Sequence, residues 1–288
     1  STRRTSMSNQ LRIFKDATAI MTGGASGIGR AMALELVSRG CTVVLADRQI
    51  ALAEELAASI VASGGNAWAR ELNVCDYNAV KVLVEETVAK TGRLDYMFNN
   101  AGIAVGGMTH EYQVSDWDTT MDVNVRGVTN GVQACYSLMV EQGFGHIVNT
   151  ASMAGLVPAT NAVAYSTSKF AVAGLSQSLR IEAEYRGVRV SALCPGAIQT
   201  PILTGGEFGK LGSGITKEQA EKFWVALKPM APGAFARKAI DKVAKNHALI
   251  IVPSWWQKAH LVFRLLPSLW FAWSKKEMIR SMRIFQQK

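Results

Sequence analysis

No two of the four cysteines, Cys41, Cys75, Cys135 and Cys194, form a C-x-x-C pair, so the sequence offers neither a zinc ribbon nor a redox dithiol. Reduced, buried thiols remain. None of the four histidines stands at a spacing from a carboxylate or another histidine that would hold a metal or complete a nucleophilic triad; His146 opens an apolar run, and His110, His247 and His260 fit loop, helix-end and surface positions. No low-complexity linker divides the 288 residues, and no internal repeat appears. The first residues lack the basic, apolar and small regions of a targeting signal, and residues 1–6 ahead of Met7 read as a processing remnant, which implies an intracellular, cytoplasmic protein. The charge-free stretch between Glu141 and Lys169 is rich in Gly, Ser, Thr and Asn and contains Pro158, which excludes a membrane span.

Charged residues make up only 18% of the chain against 49% hydrophobic ones, the balance of a densely packed globular protein. The net charge of +9 is concentrated near the C-terminus, where Lys258, Arg264, Lys275, Lys276, Arg280, Arg283 and Lys288 face one acidic residue, Glu277. A nearly neutral body with few stacking sites argues against a nucleic-acid partner.

Short apolar runs at 17–22, 42–46, 67–72, 96–99, 146–151, 188–193 and 249–252 alternate with helical patterns after Gly27 and over 51–62, 80–89, 116–139, 163–185 and 235–245. That alternation predicts an α/β fold: a doubly wound, seven-stranded parallel sheet of Rossmann type, covered on both faces. The expected organisation is an N-terminal tail over 1–16, a dinucleotide-binding catalytic domain over 17–253, and an amphipathic aromatic and basic tail over 254–288. Ligands of such sheets lie beyond the carboxyl ends of the strands.

At the end of the first strand stand Gly23, Ser26, Gly27, Ile28 and Gly29, in a T-G-x-x-x-G-x-G spacing that leads into a helix. A phosphate needs bare backbone N–H groups at a helix N-terminus, and residues without side chains let the backbone approach that closely. Asp47 ends the second strand, where a carboxylate can accept hydrogen bonds from the adenosine ribose and repel a 2′-phosphate, which favours NAD. Arg48 beside it can pair with a phosphate and leaves NADP open.

Asn99-Asn100-Ala101-Gly102 follows the fourth strand, Ser152 follows the fifth, Tyr165 and Lys169 form Y-x-x-x-K, and Pro195-Gly196 follow the sixth. With the glycine turn and Asn124, this ordered set resembles the classical short-chain dehydrogenase/reductase family over about residues 15–253. The resemblance implies that Tyr165 is the general acid/base, that Ser152 orients the substrate oxygen, that Lys169 lowers the Tyr165 pKa and holds the nicotinamide ribose, and that Asn124 supports a water-mediated proton path. Asn100, Ala101 and Gly102 would shape the cofactor floor, Ile198 and Thr200 the nicotinamide site, and Asn73 and Val74 the adenine contact. The family usually has Asp where this chain has Asn73, which can still hydrogen-bond adenine but carries no charge. A spacing of four puts Tyr165 and Lys169 on one helical face, where an ammonium and a positive nicotinamide both favour phenolate over a phenol whose ordinary pKa is about 10.

The implied activity is hydride transfer between NAD(H) and an apolar secondary alcohol or ketone, lipid-like, steroid-like or aryl. Val105, Met153, Leu156, Val157, Asn161, Leu203 and Phe223 are the expected pocket residues, and no Arg or Lys is evidently placed to clamp an anion. A glycine-rich stretch, 205–214, suits a flap within about 201–232. The competing reading is a catalytically silent dinucleotide-binding scaffold, favoured by the tail alone. Four of the seven tryptophans lie in that tail, with Trp255, Ala259, Val262 and Leu266 predicted on one helical face, Gln257, His260 and Arg264 on another, and Met278, Met282 and Phe285 repeating the apolar pattern beyond Pro267. It could dock on its own subunit or a neighbour, lie on a membrane surface, or cover the substrate. The resemblance implies a homodimer or homotetramer, with the helices over 116–139 and 163–185 pairing across a two-fold axis.

Overall fold

The structure, a computed structural model, describes residues 10–212, 214–226 and 228–286, without the side chains of 226 and 281–286. Residues 1–9 of the expected N-terminal tail lie outside the described residues, as does Lys288, and so do the side chains of Met282, Arg283 and Phe285.

Each β-branched or aliphatic run becomes a strand: β1 Thr18–Thr22, β2 Thr42–Asp47, β3 Ala67–Glu71, β4 Tyr96–Asn99, β5 Gly145–Thr150, β6 Val188–Pro195 and β7 Leu249–Val252. All pair in parallel, in the spatial order β3-β2-β1-β4-β5-β6-β7. The inner strands β1, β4 and β5 are wholly buried, whereas β3, at an edge with a single neighbour, is half covered. Continuous apolar runs are what a sheet covered on both faces demands.

One core layer joins the sheet to α1 (Gly27–Ser38), α2 (Ile50–Ala62) and α8 (Pro232–Ala244) through Leu36, Ile60 and Phe235. The opposite layer joins it to α3 (Tyr77–Thr91), α5 (Gly127–Gln142) and α6 (Val163–Tyr185) through Leu83, Met139 and Ala183. A third cluster sits towards β6 and β7, where Trp270 packs with Val172, Cys194 and Ile251. Its outer members, Trp256, Ala259 and Phe263, come from the C-terminal helices α9 (Trp256–Leu265) and α10 (Pro267–Gln286).

The order reverses between β1 and β4, which opens a crevice at their carboxyl ends. Thr22 ties the two together: its hydroxyl donates to the Phe98 carbonyl and accepts the Asn100 and Ala101 N–H groups at 2.9 and 3.0 Å.

The helix expected over 116–139 is not continuous. It is divided into α4 (Val114–Met121), a π-helical turn Asp122–Arg126 and α5. Asn124 supplies the reason, because its amide accepts from the Ile103 N–H and donates to the Ile103 carbonyl, each at 2.9 Å, and donates to the Ser168 hydroxyl at 2.9 Å. A side chain that pairs with a neighbouring backbone draws its helix inward and accommodates one extra residue per turn.

Candidate active site

At the phosphate end the chain leaves β1 through Gly23 and Gly27, both at positive φ (64° and 52°). A Cβ on Gly29 would fall inside the van der Waals radius of the Gly23 carbonyl oxygen, so the turn closes only around a bare α-carbon. Ser26 occupies the N-cap position of α1 without a side-chain cap hydrogen bond, and the first N–H groups of the helix face the cleft floor shared with Ile28.

Asp47 carries the next step along the cleft. One carboxylate oxygen accepts from the Ala25 N–H and the other from the Gln49 N–H, both at 3.0 Å, which locks the glycine turn to the end of β2. Asp47 is therefore a fixed negative group on the wall, while Arg48 points its guanidinium over the Phe208 ring, 4.6 Å from the centroid. The side chain that left NADP open is thus already engaged by the flap. Asn73 accepts the Cys75 N–H at 3.2 Å and lines the cleft with Val74.

Asn100 donates to the Thr22 carbonyl at 3.0 Å and holds the floor, followed by Ala101 and Gly102. Behind Gly102 stand Asn124 and Lys169; a Cβ there would lie 3.2 Å from the Asn124 amide oxygen and 3.3 Å from the Lys169 nitrogen. Asn124 itself is fully buried and does not reach the cavity wall. Its visible work is structural, holding Ile103 and Ser168 in place.

Tyr165 and Lys169 sit one turn apart on α6, and Ser152 follows β5 at the start of a short 3-10 turn. The Ser152 hydroxyl hydrogen-bonds the Tyr165 phenol and accepts the Ala154 N–H at 3.1 Å. Lys169 donates to the Thr150 carbonyl at 2.8 Å, and its ammonium lies 5.5 Å from the Tyr165 ring centroid. Burial brings the Lys169 ammonium down to about 8.

One expectation is corrected here. Burial pushes the Tyr165 phenol above its ordinary range, opposed by the Ser152 hydrogen bond and not by Lys169. The Lys169 ammonium bonds the Thr150 carbonyl rather than the phenol oxygen.

These groups open on one cavity of about 1360 Å³, running from Asp47 past Tyr165 and Lys169 to the C-terminal helices. Pro195, Gly196, Ile198 and Thr200 form its other wall. Of the expected pocket residues, Met153, Val157, Asn161, Leu203 and Phe223 line it. Val105 and Leu156 do not: Val105 is buried in a bridge to Lys210, and Leu156 is packed into the third core cluster.

The glycine-rich stretch closes over the cleft. Gly106 donates to the Lys210 carbonyl at 2.8 Å, Lys210 donates back to Ala104 at 3.0 Å, and the Lys210 ammonium pairs with Asp116 at 2.9 Å. Two glycines, Gly107 and Gly212, let the strands of this arch touch.

Of the three readings left open for the tail, covering the substrate is one that its helices carry out here, although the sequence did not name which residues form that wall. Trp255, Trp256, Ala259, Trp270 and Trp273 line the cavity, and Trp256 lies so close to Gly196 that a Cβ there would overlap its indole. The inward stripe of α9 is Trp256, Ala259 and Phe263, not the predicted Trp255, Ala259, Val262 and Leu266; Val262 and Leu266 are exposed. Two helical tracks one residue apart were both apolar, and only the glycine gap at Gly196 selects which one seats. Lys210, Lys228 and Arg280 also border the cavity, where no Arg or Lys was expected to clamp an anion; Lys210 pairs with Asp116 and Arg280 with Glu277. The density of tryptophan after residue 254 was the available signal.

His146 is buried in β5 against the Ser191 hydroxyl, far from this chemistry, and burial lowers its pKa to about 3. The cysteines are free thiols. Among the described residues no group of three or more His, Cys, Asp or Glu could hold a metal ion, and no helix is long and apolar enough to cross a membrane.

The family model for short chain dehydrogenase matches residues 17–207. A cyclohexanol dehydrogenase of Acinetobacter is 36% identical over 198 residues, covering 68% of this chain and 78% of that one. A probable oxidoreductase of Mycobacterium tuberculosis, EphD, is 35% identical over 260 residues, covering 88% of this chain but only 44% of that one, so the chain spans less than half the length of that relative. A short chain dehydrogenase/reductase from Burkholderia phymatum, solved in complex with NAD, superposes with a TM-score of 0.81 at 26% identity, over 90% of this chain and 96% of that one.

Proposed function

The chain belongs to the short-chain dehydrogenase family of NAD(P)-dependent oxidoreductases, and from that premise we propose that it moves a hydride between NAD(H) and an apolar secondary alcohol or its ketone. The observation that carries this reading is the convergence of Ser152, Tyr165 and Lys169 on one cavity with Asp47 towards one end and apolar side chains, Met153, Val157, Leu203, Phe223 and Trp256, towards the other. The cyclohexanol dehydrogenase relative supports an alicyclic or similarly apolar substrate class, and the NAD-bound structural neighbour supports the cofactor class.

The residues present fit a nicotinamide dinucleotide. The turn at Gly23 and Gly29 is a cradle that a Cβ would fill, and the Asp47 carboxylate stands where ribose hydroxyls would meet it and a 2′-phosphate would be repelled. We assign NAD over NADP on that carboxylate and on the engagement of Arg48 by Phe208. Residues 17–253 form the catalytic unit in this reading.

When bound, the dinucleotide supplies the hydride acceptor for oxidation and the donor for reduction. Ser152 donates a hydrogen bond that orients the substrate oxygen. Tyr165, as phenolate, takes the hydroxyl proton on its oxygen as the carbinol C–H bond is broken, and returns it in the reverse direction. The phenol, raised by burial, is brought towards the working range by the Ser152 hydrogen bond and by a positive nicotinamide. Lys169, near 8, holds the ribose side of the site and exchanges protons close to physiological pH. Asn124 positions Ile103 and Ser168 behind it. The flap and the aromatic wall exclude water around the reacting carbon.

Assembly follows the outer face of α6, where Val163, Phe170, Ile181 and Tyr185 are exposed, pairing with α4 and α5 across a two-fold axis. The protein is read as cytoplasmic. The test is a panel of alcohols and ketones with NAD and NADP, run on the wild type and Tyr165→Phe. The expected result is turnover of apolar secondary alcohols with NAD and a fall of at least ~100-fold in the variant with cofactor binding retained. Dinucleotide binding with no turnover on any member would replace this reading with a silent scaffold.

A further inference from the structure

The two C-terminal helices present different chemistry on their two sides. Inward, Trp256, Ala259, Phe263 and Trp270 complete the third core cluster and the cavity wall. Outward, Leu261, Leu265, Leu266, Leu269, Phe271 and Ile279 are 57, 68, 52, 60, 57 and 49% exposed. Soluble surfaces rarely carry so many large apolar side chains in one short segment without a partner. Trp255 and Trp273, 59 and 50% exposed, reach from the cavity wall to this outer surface.

Charge distinguishes the occupants. Lys258, Arg264, Lys275, Lys276 and Arg280 interleave with the outer apolar residues, and Glu277 is the single acidic residue among positions 255–280. A second copy seated on the same patch would bring five basic side chains against five others around a two-fold axis, with like charges opposed. An anionic bilayer offers the complement: acyl chains for the leucines and Phe271, headgroup depth for the indoles, and phosphates within reach of Lys and Arg stems. No described helix can span, so the contact is with the surface of the bilayer.

We infer that α9 and α10 dock the chain on an anionic lipid bilayer through Leu261, Leu265, Leu269 and Phe271. Because the same helices wall the cavity, an apolar alcohol dissolved in the bilayer reaches Tyr165 along Trp273 and Trp255 without crossing bulk water. This delivery rests on the proposed apolar substrate, whereas the docking itself does not.

The experiment is cosedimentation of the full chain with vesicles of phosphatidylcholine alone or mixed with phosphatidylglycerol. Two variants accompany it, Leu261→Glu/Leu265→Glu/Leu269→Glu and Lys258→Gln/Lys275→Gln/Lys276→Gln, none of whose residues lines the cavity. The expected result is binding to the anionic vesicles, about tenfold weaker partition for either variant, and retained NAD binding and turnover of a water-soluble substrate. The charge variant keeps the outcome readable should the leucine variant fail to fold. The inference is overturned by no binding of the wild type, by equal binding to neutral vesicles, by unchanged binding of the charge variant, or by light scattering that shows the outer leucines holding two copies together. Tyr165→Phe separates the two readings, since it removes turnover and leaves vesicle binding intact.

Discussion

The two ends of the cleft are built by opposite means. At the dinucleotide end the surface is backbone and short polar side chains, each doubly held: Asp47 by two N–H groups, Asn100 by Thr22, the turn by glycines with no room for a Cβ. At the far end the wall is large aromatic side chains carried on helices that follow the last strand. Hydrogen-bonded backbone tolerates almost no displacement, whereas an apolar wall changes shape at modest cost. The difference teaches that one end is specified for a single ligand and the other for a class of ligands.

The sharpest break in this comparison is Gly29→Ala. Its Cβ meets the Gly23 carbonyl, so the turn must open, and dinucleotide affinity should fall by at least ~100-fold (calorimetric titration), on the scale of lost backbone hydrogen bonds to a charged ligand. A folded variant that binds normally would mean that the turn is not the cradle.

Trp256→Ala probes the other end. KM for an apolar alcohol should rise about tenfold, the scale of one lost hydrophobic pocket contact, with NAD affinity unchanged. A change in NAD affinity equal to that in KM would show the two ends to be coupled rather than separate.

Lys169 lies between them, and the smallest of these effects is its contribution to stability. Burial lowers it from 10.5 to about 8, so between those values the unfolded chain binds the extra proton and folding becomes less costly as pH rises. Lys169→Met should therefore melt a few degrees above the wild type at neutral pH while losing turnover, and the gap should close as pH rises from about 8 to 10.5. The difference between the two proteins isolates Lys169 from the thiols and phenols that titrate in the same range. A gap independent of pH would remove the buried-ammonium account.

Much of the dinucleotide end was legible in the sequence because its signals are local. The glycine turn follows directly from the end of a strand, and Y-x-x-x-K needs only the pitch of a helix to align its two side chains. The seven apolar runs and their alternation with helices foretold the parallel sheet for the same reason. The substrate end was harder. Met153, Val157 and Phe223 were recognised as wall residues, but Val105 turned out to bridge Lys210 and Leu156 to fill the core, since a loop's facing depends on what packs behind it. The helical period of the tail was plain, yet the seating of Trp256 against Gly196, some sixty residues earlier in the chain, could not be read from it.

By itself, then, the amino-acid order determined the strand and helix periods, the glycine turn, and the ordered set from Ser152 to Lys169, all features set by steric and hydrogen-bonding rules that act within a few residues. Tertiary structure alone decided which face of the last helices closes the cavity, that Phe208 meets Arg48, and that burial raises the Tyr165 phenol while lowering Lys169. Desolvation and packing are properties of the assembled surroundings, and no local pattern records which distant residues will supply them.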